Sequence, residues 1–383
     1  MLPRAVPPEL PRDARGWRER ARSFAERTVA PQSAAIDRTD RVPDEIVAQL
    51  ARERFLGLGI PAAWDGAGGD ARSTVAVLEE LAYASAAVAV LVAVHLSVCA
   101  APILAWGTDT QRSRYLRPLA RGATIGAFGL TEPGAGSDAA AITTRYEPVA
   151  DGYRLRGTKM FTSNAASAGV ILVFATRDPA RGHAGISAFV VPPGTPGFSV
   201  AQRLDKLGLR GSETTELVLD GVPVPPDALL GPEGAGLKVA LGALAGGRVG
   251  IAGCALGVAR AAYDALCAAA ARTPTDAHRS EVARAYARLA AARALVERAA
   301  EVKDAGAPFV REASVAKLVA SEAAFAIASA GVDVAGPAGT RAGATAERLF
   351  RDARVFPIVE GTTEIQELLL GRELLGDRRA ENP

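Results

Sequence analysis

The sequence predicts an α+β protein, mostly α-helical, in which a helical domain (residues 1–121), a β domain (residues 122–231) and a helical bundle (residues 232–383) follow one another. Three observations predict this order. Helical periodicity dominates the first part of the chain, short runs of strand-forming residues follow, and long Ala-rich helical segments return after Pro232. The length of 383 residues exceeds one ordinary hydrophobic core and indicates two or three domains.

The N-terminal domain begins with a Pro/Arg-rich stretch, residues 1–15, that we expect to be a loose arm. Residues 55–69 are dense in Gly and Pro and are predicted to form a loop. The spacing of apolar residues predicts helices elsewhere in this domain, over residues 17–29, 43–54, 73–85 and 109–120.

Residues 84–108 contain no Asp, Glu, Lys or Arg, and this length could span a bilayer. The segment is Ala-rich, however, carries His95 and Ser97, and is interrupted by Pro102. No second apolar segment with Lys/Arg flanks accompanies it. We therefore expect a buried helix of a large helical domain and no membrane span.

The β domain is predicted from short apolar runs that turn dipeptides separate. Residues 169–176 and 186–191 are continuously apolar. Leu217 and Leu219 alternate with polar residues, as in a strand with one buried face. A small antiparallel barrel or sandwich fits this pattern.

The C-terminal bundle is predicted from long helical segments over residues 236–271, 281–303, 312–332 and 363–375, the first of them one helix or a pair. In the third segment only Lys317 and Glu322 are charged after the first residue, so we expect it to lie deep in the bundle. The second segment shows an apolar stripe of Val282, Tyr286, Leu289, Ala292, Val296 and Ala299.

Composition excludes several classes of function. The net charge of +2 and the lack of a basic patch with aromatic residues do not favour nucleic-acid binding. Three cysteines, Cys99, Cys254 and Cys267, form no disulfide framework and lack metal-ligand spacing, as do the histidines, so we expect a cytoplasmic protein without a metal site.

The stretch LTEPGAGSD, Leu130 to Asp138, follows an apolar run and precedes the strands. We expect Gly134 and Gly136 to let the backbone turn where a Cβ atom would block it. Free N–H groups in such a turn can bind an anion, and Thr131 and Ser137 add hydroxyls. Taken alone, however, such a cluster is most often an ordinary loop.

With six further motifs, the chain resembles the acyl-CoA dehydrogenase flavoprotein family over nearly its whole length. The motifs keep the family's order and approximate spacing. They are FLGLGIPAAWDGAGG, LTEPGAGSD, GTKMFTSN, KLGLRGSETTELVLDGVPVP, GPEGAGLKVA, RLFRDARV and IVEGTTEIQ. The resemblance implies an N-terminal helical domain, a central antiparallel β-barrel and a C-terminal four-helix bundle, with FAD as cofactor.

Glu360 in IVEGTTEIQ stands before a helix that Thr362 or Thr363 can cap, so by itself it could be an acid favoured by the helix dipole. The resemblance implies instead that Glu360 removes the α-proton of an acyl thioester while a hydride leaves the β-carbon for flavin N5. Such a base must be buried and have a raised pKa. Some relatives carry their base before the residue matching Arg248, where this chain has Gly247.

The resemblance also implies binding residues. In GTKMFTSN, Phe161 and Ser163 keep the aromatic ring and the hydroxyl of the family's Trp-x-Thr, although Phe161 alone would be taken for a core aromatic of a strand. Substrate contacts are implied for Ser137, Arg248 and Gly361. Cofactor contacts are implied for Leu130, Thr131, Gly136, Ser137, Phe161, Ser163, Arg272, Gly336, Thr362 and Glu364.

The chain departs from the family at two places. The loop after Arg272 lacks the Phe-Gly pair and has Ser280 where the family has Gln, and Asp333 replaces Gln before the GPAG turn. These positions contact the flavin of a neighbouring subunit in the family. In LAGGR, Ala245 replaces an acid that helps to hold the pantetheine arm, which favours an acyl carrier protein over CoA.

We therefore predict an FAD-dependent acyl-CoA or acyl-carrier-protein dehydrogenase, with an electron-transfer flavoprotein or oxygen as acceptor. A homodimer or homotetramer is expected through the C-terminal bundle. Two alternatives remain open, because a fold does not fix the chemistry. One is a flavin oxidase or monooxygenase, and the other is a flavin-poor structural or regulatory subunit.

Overall fold

The structure, a computed structural model, describes residues 12–376. Most of the predicted N-terminal arm lies outside them. Helices α1 to α8 form the N-terminal part: α1 (Arg12–Phe24), α2 (Ser33–Thr39), α3 (Asp44–Arg52), α4 (Ala71–Ala84), α5 (Ala86–Val94), α6 (Ala101–Trp106), α7 (Asp109–Gln111) and α8 (Arg117–Arg121). The predicted helix over residues 17–29 is α1 followed by a π-helical turn, Ala25–Val29.

The central part is one eight-stranded sheet in the order β6-β7-β3-β2-β4-β5-β8, with β1 paired to β4. The pairs β1–β4 and β2–β4 are parallel, and the others are antiparallel. The strands are β1 (Ile125–Gly129), β2 (Arg145–Val149), β3 (Gly152–Ser163), β4 (Ala168–Thr176), β5 (Ile186–Val191), β6 (Phe198–Arg203), β7 (Thr214–Val224) and β8 (Leu229–Leu230).

Five helices follow: α9 (Gly236–Ala270), α10 (Asp276–Asp304), α11 (Val310–Ala335), α12 (Thr345–Val355) and α13 (Thr363–Leu374). The first is a single helix of 35 residues, which resolves the choice between one helix and a pair. The predicted stripe on α10 is wrong at one position, because Tyr286 is 50% exposed, whereas Leu289, Ala292, Val296 and Ala299 are buried.

The helices from both ends of the chain share one hydrophobic core, which includes Phe24 of α1, Leu78 of α4, Leu256 of α9 and Ile327 of α11. An ionic cluster crosses the same interface. In it, Glu79 and Glu80 of α4 pair with four guanidinium groups at 2.7–3.1 Å: those of Arg18, Arg22, Arg260 and Arg293.

Three helical stretches are long and apolar enough to cross a membrane: Ala86–Trp106, Gly236–Ala270 and Val310–Ala338. In the most apolar windows of the first two, 83% and 78% of the residues are buried inside the protein. All nine residues of α5 are buried, which confirms the predicted buried helix. In the most apolar window of the third stretch only 39% of the residues are buried, so the described residues bury α11 incompletely.

Candidate functional site

Glu360 lies in a tight turn between α12 and α13. Glu360 has φ 56° and Gly361 has φ 94°, so two consecutive residues adopt left-handed backbone conformations and reverse the chain. A side-chain-bearing residue in this region is strained and needs support from its surroundings. The turn ends where Thr362 caps α13, its hydroxyl accepting a hydrogen bond from Ile365 N at 3.3 Å.

Side chains from three helices support the two carbonyl groups of this turn. The Arg248 Nε of α9 donates to the carbonyl oxygen of Glu360 at 3.4 Å, and its guanidinium also donates to Ser314 Oγ at 3.2 Å. Lys317 Nζ of α11 donates to the carbonyl oxygen of Gly361 at 2.7 Å. Gln366 Nε2 of α13 reaches both carbonyl oxygens.

The Glu360 residue is half-buried, and one oxygen of its carboxylate is enclosed. Its Oε2 atom is buried and has no hydrogen-bond partner within residues 12–376. It lies against Gly247, where a Cβ atom would be 2.5 Å from Oε2. Burial raises the pKa of Glu360 to about 7, although the charges of Arg248 and Lys317 act to lower it. A base with this pKa, enclosed but unpaired, suits proton abstraction near neutral pH.

The loop 130–138 is anchored at its start and open at its tip. The carbonyl oxygen of Leu130 accepts from Lys159 Nζ at 3.1 Å, and that of Thr131 accepts from Met160 N at 2.8 Å. Gly136 and Ser137 are exposed. The expectation that protein atoms would block a Cβ atom at these glycines is wrong, because a Cβ at Gly134 or Gly136 would meet no protein atom within 4 Å.

Phe161 is not a core residue, so its interpretation as an ordinary strand aromatic is wrong. It has φ 54°, lies where the register of β3 against β7 shifts, and is 62% exposed. The neighbouring Thr162 hydroxyl is buried without a hydrogen-bond partner in the described part of the chain. Ser163 is partly buried. Because Met160 N donates to the carbonyl oxygen of Thr131, the backbone next to Phe161 lies beside the start of the loop 130–138.

This surface fits a planar polar cofactor. An exposed ring offers a face for stacking, open space at Gly136 leaves room for a ligand, and the hydroxyls of Thr131 and Ser137 can hydrogen-bond to it. Within the described residues no cluster of His, Cys, Asp or Glu could hold a metal ion. The buried His95 uses both ring nitrogens to contact the backbone of Leu56 and Gly126.

The remaining predicted residues lie elsewhere. Arg272 is exposed after α9 and, with residues that follow Gly336, lines a groove of about 430 Å³ at the ends of α9 and α11. Gly336 itself has φ 61° and ends α11. Glu364 is exposed in the first turn of α13. The predicted residues thus form three groups: the loop with Phe161 and Ser163, the Glu360 turn with Arg248, and this groove.

Sequence reasoning missed Lys317 and Gln366 as neighbours of Glu360. The signal for Lys317 was present, since it is one of only two charges in an apolar helix. Such a lysine needs a polar partner when the helix is buried. Sequence reasoning also did not assign Lys159 a role, although its ammonium anchors the loop 130–138.

Three domain models of one family match the chain. The acyl-CoA dehydrogenase N-terminal domain matches residues 11–123, the middle domain residues 127–222 and the C-terminal domain residues 234–375. An acyl-CoA dehydrogenase of Bacillus subtilis is 40% identical over 367 residues, covering 94% of this chain and 97% of that protein. The mitochondrial short-chain specific acyl-CoA dehydrogenase of Bos taurus is 38% identical, covering 97% and 92%.

Solved structures are similar over almost the whole chain. Butyryl-CoA dehydrogenase from Megasphaera elsdenii has a TM-score of 0.93 and 35% identity, covering 97% of this chain and 100% of that one. A chain described as electron transferring flavoprotein of Acidaminococcus fermentans has a TM-score of 0.94 and 34% identity, and the match covers 97% of this chain and 100% of that one. The prolyl acyl carrier protein oxidase AnaB has a TM-score of 0.91 and 26% identity, and the match covers 96% of this chain and 100% of that one.

Proposed function

Because the chain belongs to the acyl-CoA dehydrogenase family, and is thus an FAD-dependent oxidoreductase acting on CH–CH bonds, we propose that Glu360 is the base that removes the α-proton of a short-chain acyl-CoA. The observation that carries this proposal is the Glu360 carboxylate: its Oε2 atom is buried without a hydrogen-bond partner among residues 12–376, and its pKa is raised to about 7. The short chain length is taken from the relatives' names.

Different residues of the chain carry the different steps of the proposed reaction. The α C–H bond breaks, and its proton passes to the Glu360 carboxylate. The backbone N–H of Glu360 belongs to the turn that Arg248, Lys317 and Gln366 hold, and in our proposal it stabilises negative charge on the thioester oxygen. The loop 130–138 and Phe161 to Ser163 would hold FAD, which would supply the acceptor for the hydride that leaves the β-carbon.

The identity of the carrier is the second part of the proposal. The relatives' names favour CoA. The loss of the acid at Ala245 favours a carrier protein, which brings its own docking surface and needs fewer contacts with the pantetheine arm. A carrier protein is also supported by the similarity to AnaB, which is named a prolyl acyl carrier protein oxidase. Arg248 is a weaker candidate for direct substrate contact, because its guanidinium already bonds within the protein.

One experiment tests these points. Purified protein containing FAD is mixed anaerobically with short-chain acyl-CoA and with the same acyl group on a carrier protein, and loss of flavin absorbance is followed. We expect wild-type flavin to bleach and Glu360→Gln to bleach at least about a hundredfold more slowly while it retains FAD. A Glu360→Gln variant as fast as wild type refutes the assignment of the base. The faster thioester identifies the carrier.

The acceptor and the assembly belong to the same proposal. The similarity to a chain of an electron transferring flavoprotein structure supports such a flavoprotein as acceptor, with oxygen as the alternative. Bleached enzyme that regains its absorbance with that flavoprotein but not with air distinguishes the two. We also propose a homo-oligomer formed through the C-terminal bundle and a cytoplasmic location, in line with the free cysteines.

A further inference from the structure

The Glu360 turn depends on contacts from outside its own segment. Its two carbonyl oxygens receive hydrogen bonds from Arg248, Gln366 and Lys317, and the shortest of these is the 2.7 Å bond from Lys317 Nζ to the oxygen of Gly361. That bond joins α11 to a turn 44 residues later in the chain. Lys317 therefore makes the shortest of these side-chain hydrogen bonds to the backbone of the Glu360 turn.

Lys317 is a costly residue at this position. Its side chain is fully buried, and it forms no ion pair with any carboxylate in the described part of the chain. An unpaired buried ammonium opposes folding, and a hydrophobic residue of the same size would pack there at lower cost. Burial lowers the pKa of Lys317 to about 8, opposed chiefly by the charge of Glu360, so the side chain is still charged at neutral pH.

The charged and titratable groups around Glu360 come from three helices. Arg248 and Lys317 both favour its ionised form, while burial opposes it. The charge of Glu360 also acts on the thiol of Cys254 on α9, and the carboxylates of Glu322 on α11 and Glu364 on α13 act on Lys317. Arg248 bonds to the Glu360 backbone and to Ser314, so its position is fixed, and it stays charged at all working pH values. The lysine is the cation that contributes both a backbone anchor and a charge that can titrate.

We propose that Lys317 is a positioning residue for this reaction: its hydrogen bond holds the Glu360–Gly361 turn, and its charge favours the ionised form of the Glu360 carboxylate. The proposal rests on the proposed function of Glu360 as the base. It predicts two separable losses when Lys317 is replaced, one in the geometry of the turn and one in the pH range over which Glu360 accepts a proton.

The first variant is Lys317→Met, which removes the charge and the hydrogen bond at similar volume. Lys317→Arg keeps the charge, and Lys317→Gln keeps a polar group without charge in case the Met variant does not fold. Lys238→Met, the same change at an exposed position of α9, is the control. Retention of FAD absorbance shows that each variant is folded.

The first measurement does not depend on substrate. Infrared difference spectra are recorded as a function of pH, and the carboxyl band of Glu360 is identified by its loss in Glu360→Gln. We expect a midpoint near pH 7 in wild type and in Lys238→Met, and a midpoint about one unit higher in Lys317→Met and Lys317→Gln. Lys317→Arg is expected to restore most of the shift, because a positive charge lowers the pKa of a neighbouring carboxyl.

The second measurement is the pH dependence of anaerobic flavin bleaching by short-chain acyl-CoA. A shift of one pKa unit slows Lys317→Met about tenfold below pH 7, and the deficit shrinks at high pH. Two results overturn the proposal. One is a bleaching rate of Lys317→Met that is reduced equally at every pH while its infrared midpoint is unchanged. The other is an infrared midpoint of Lys317→Arg that is shifted as far as that of Lys317→Met. If wild-type flavin is bleached by none of the thioesters, the proposed function fails, while the infrared midpoints still decide the role of Lys317.

Discussion

Nζ of Lys159 lies 2.7 Å from Oε1 of Glu132, and the two side chains are 0% and 3% exposed. The same carboxylate accepts from the backbone N–H groups of Thr143 and Thr144 at 2.6 and 2.9 Å. Burial works against the charge of Glu132, but Lys159 and these donors outweigh it and lower the pKa to about 2. The pair fixes the start of the loop 130–138 to β3.

The first prediction concerns this ion pair. Lys159→Met leaves the Glu132 carboxylate buried without its partner, so the free energy of unfolding should fall by about 3–5 kcal/mol. The double variant Lys159→Met/Glu132→Gln removes both charges and should recover part of that loss. Urea unfolding of the three proteins measures the differences, and FAD titration should show weaker binding in the single variant. Equal stability of the single variant and wild type would contradict the prediction.

The pH dependence of this contribution has a definite sign. Since the folded pKa of Glu132 is below its ordinary value of 4.5, the ionised form stabilises the fold. That stabilisation is present above pH 4.5 and is lost as the pH falls toward 2. The difference in unfolding free energy between wild type and Glu132→Gln should therefore shrink on acidification.

The second prediction compares two neighbouring glycines of α9. In Gly247→Ala the new Cβ would lie 2.5 Å from Glu360 Oε2, so the carboxylate must move and flavin reduction should slow by at least about tenfold, on the scale expected for a displaced base. In Gly246→Ala the new Cβ meets only the mobile end of Lys303, at 3.4 Å, so little change is expected. Stopped-flow bleaching measures both variants. A slower Gly246→Ala than Gly247→Ala would refute the steric argument.

The third prediction separates stability from cofactor binding at Phe161. Glycine accepts the φ of 54° without strain, and the 62% exposed ring adds little to the core. Phe161→Gly should therefore leave the apoprotein as stable as wild type or more stable, yet weaken FAD binding at least about tenfold through loss of stacking. Thermal unfolding of the apoprotein and fluorescence titration with FAD measure the two effects. A less stable apoprotein with unchanged FAD affinity would contradict this.

The fourth prediction concerns self-association. The incompletely buried face of α11 and the exposed side chains of Ile358 and Leu368 leave apolar surface at the C-terminal bundle. Sedimentation at micromolar concentration should show a dimer or tetramer, and Ile358→Lys/Leu368→Lys should shift it toward smaller species. Leu207, 57% exposed in the β domain, offers the control Leu207→Lys, which should sediment like wild type. A monomeric wild type would contradict the prediction.

The sequence predicted the elements whose pattern is local. The run 186–191 became β5 with the same ends, and the apolar segment 84–108 became buried helix, because continuous apolar runs have few other ways to fold. The sequence did not predict α12, because this helix is rich in charged residues and buries only one narrow face. Tyr286 was misplaced because the buried face of α10 passes through Ala285, one position earlier.

The candidate site was predictable only in part. The role proposed for Glu360 came from the resemblance, because a carboxylate before a helix has an ordinary alternative explanation. The contact of Lys317 with Gly361 spans 44 residues and leaves no local pattern. The exposure of Phe161 depends on a register shift in β3 that no short-range signal announces. Tertiary contacts, which sequence periodicity does not encode, decided the last two features.

The ionic cluster between α4 and the helices α1, α9 and α10 bears on how the chain is made. Glu79 and Glu80 leave the ribosome well before their partners Arg260 and Arg293, and a carboxylate pair deprived of half its guanidinium groups cannot be buried without a large penalty. The complete set of ion pairs can therefore form only after Arg293, 214 residues beyond Glu79, has been synthesised. The charges buried in the first third of the protein are thus fully paired only by residues of its last third.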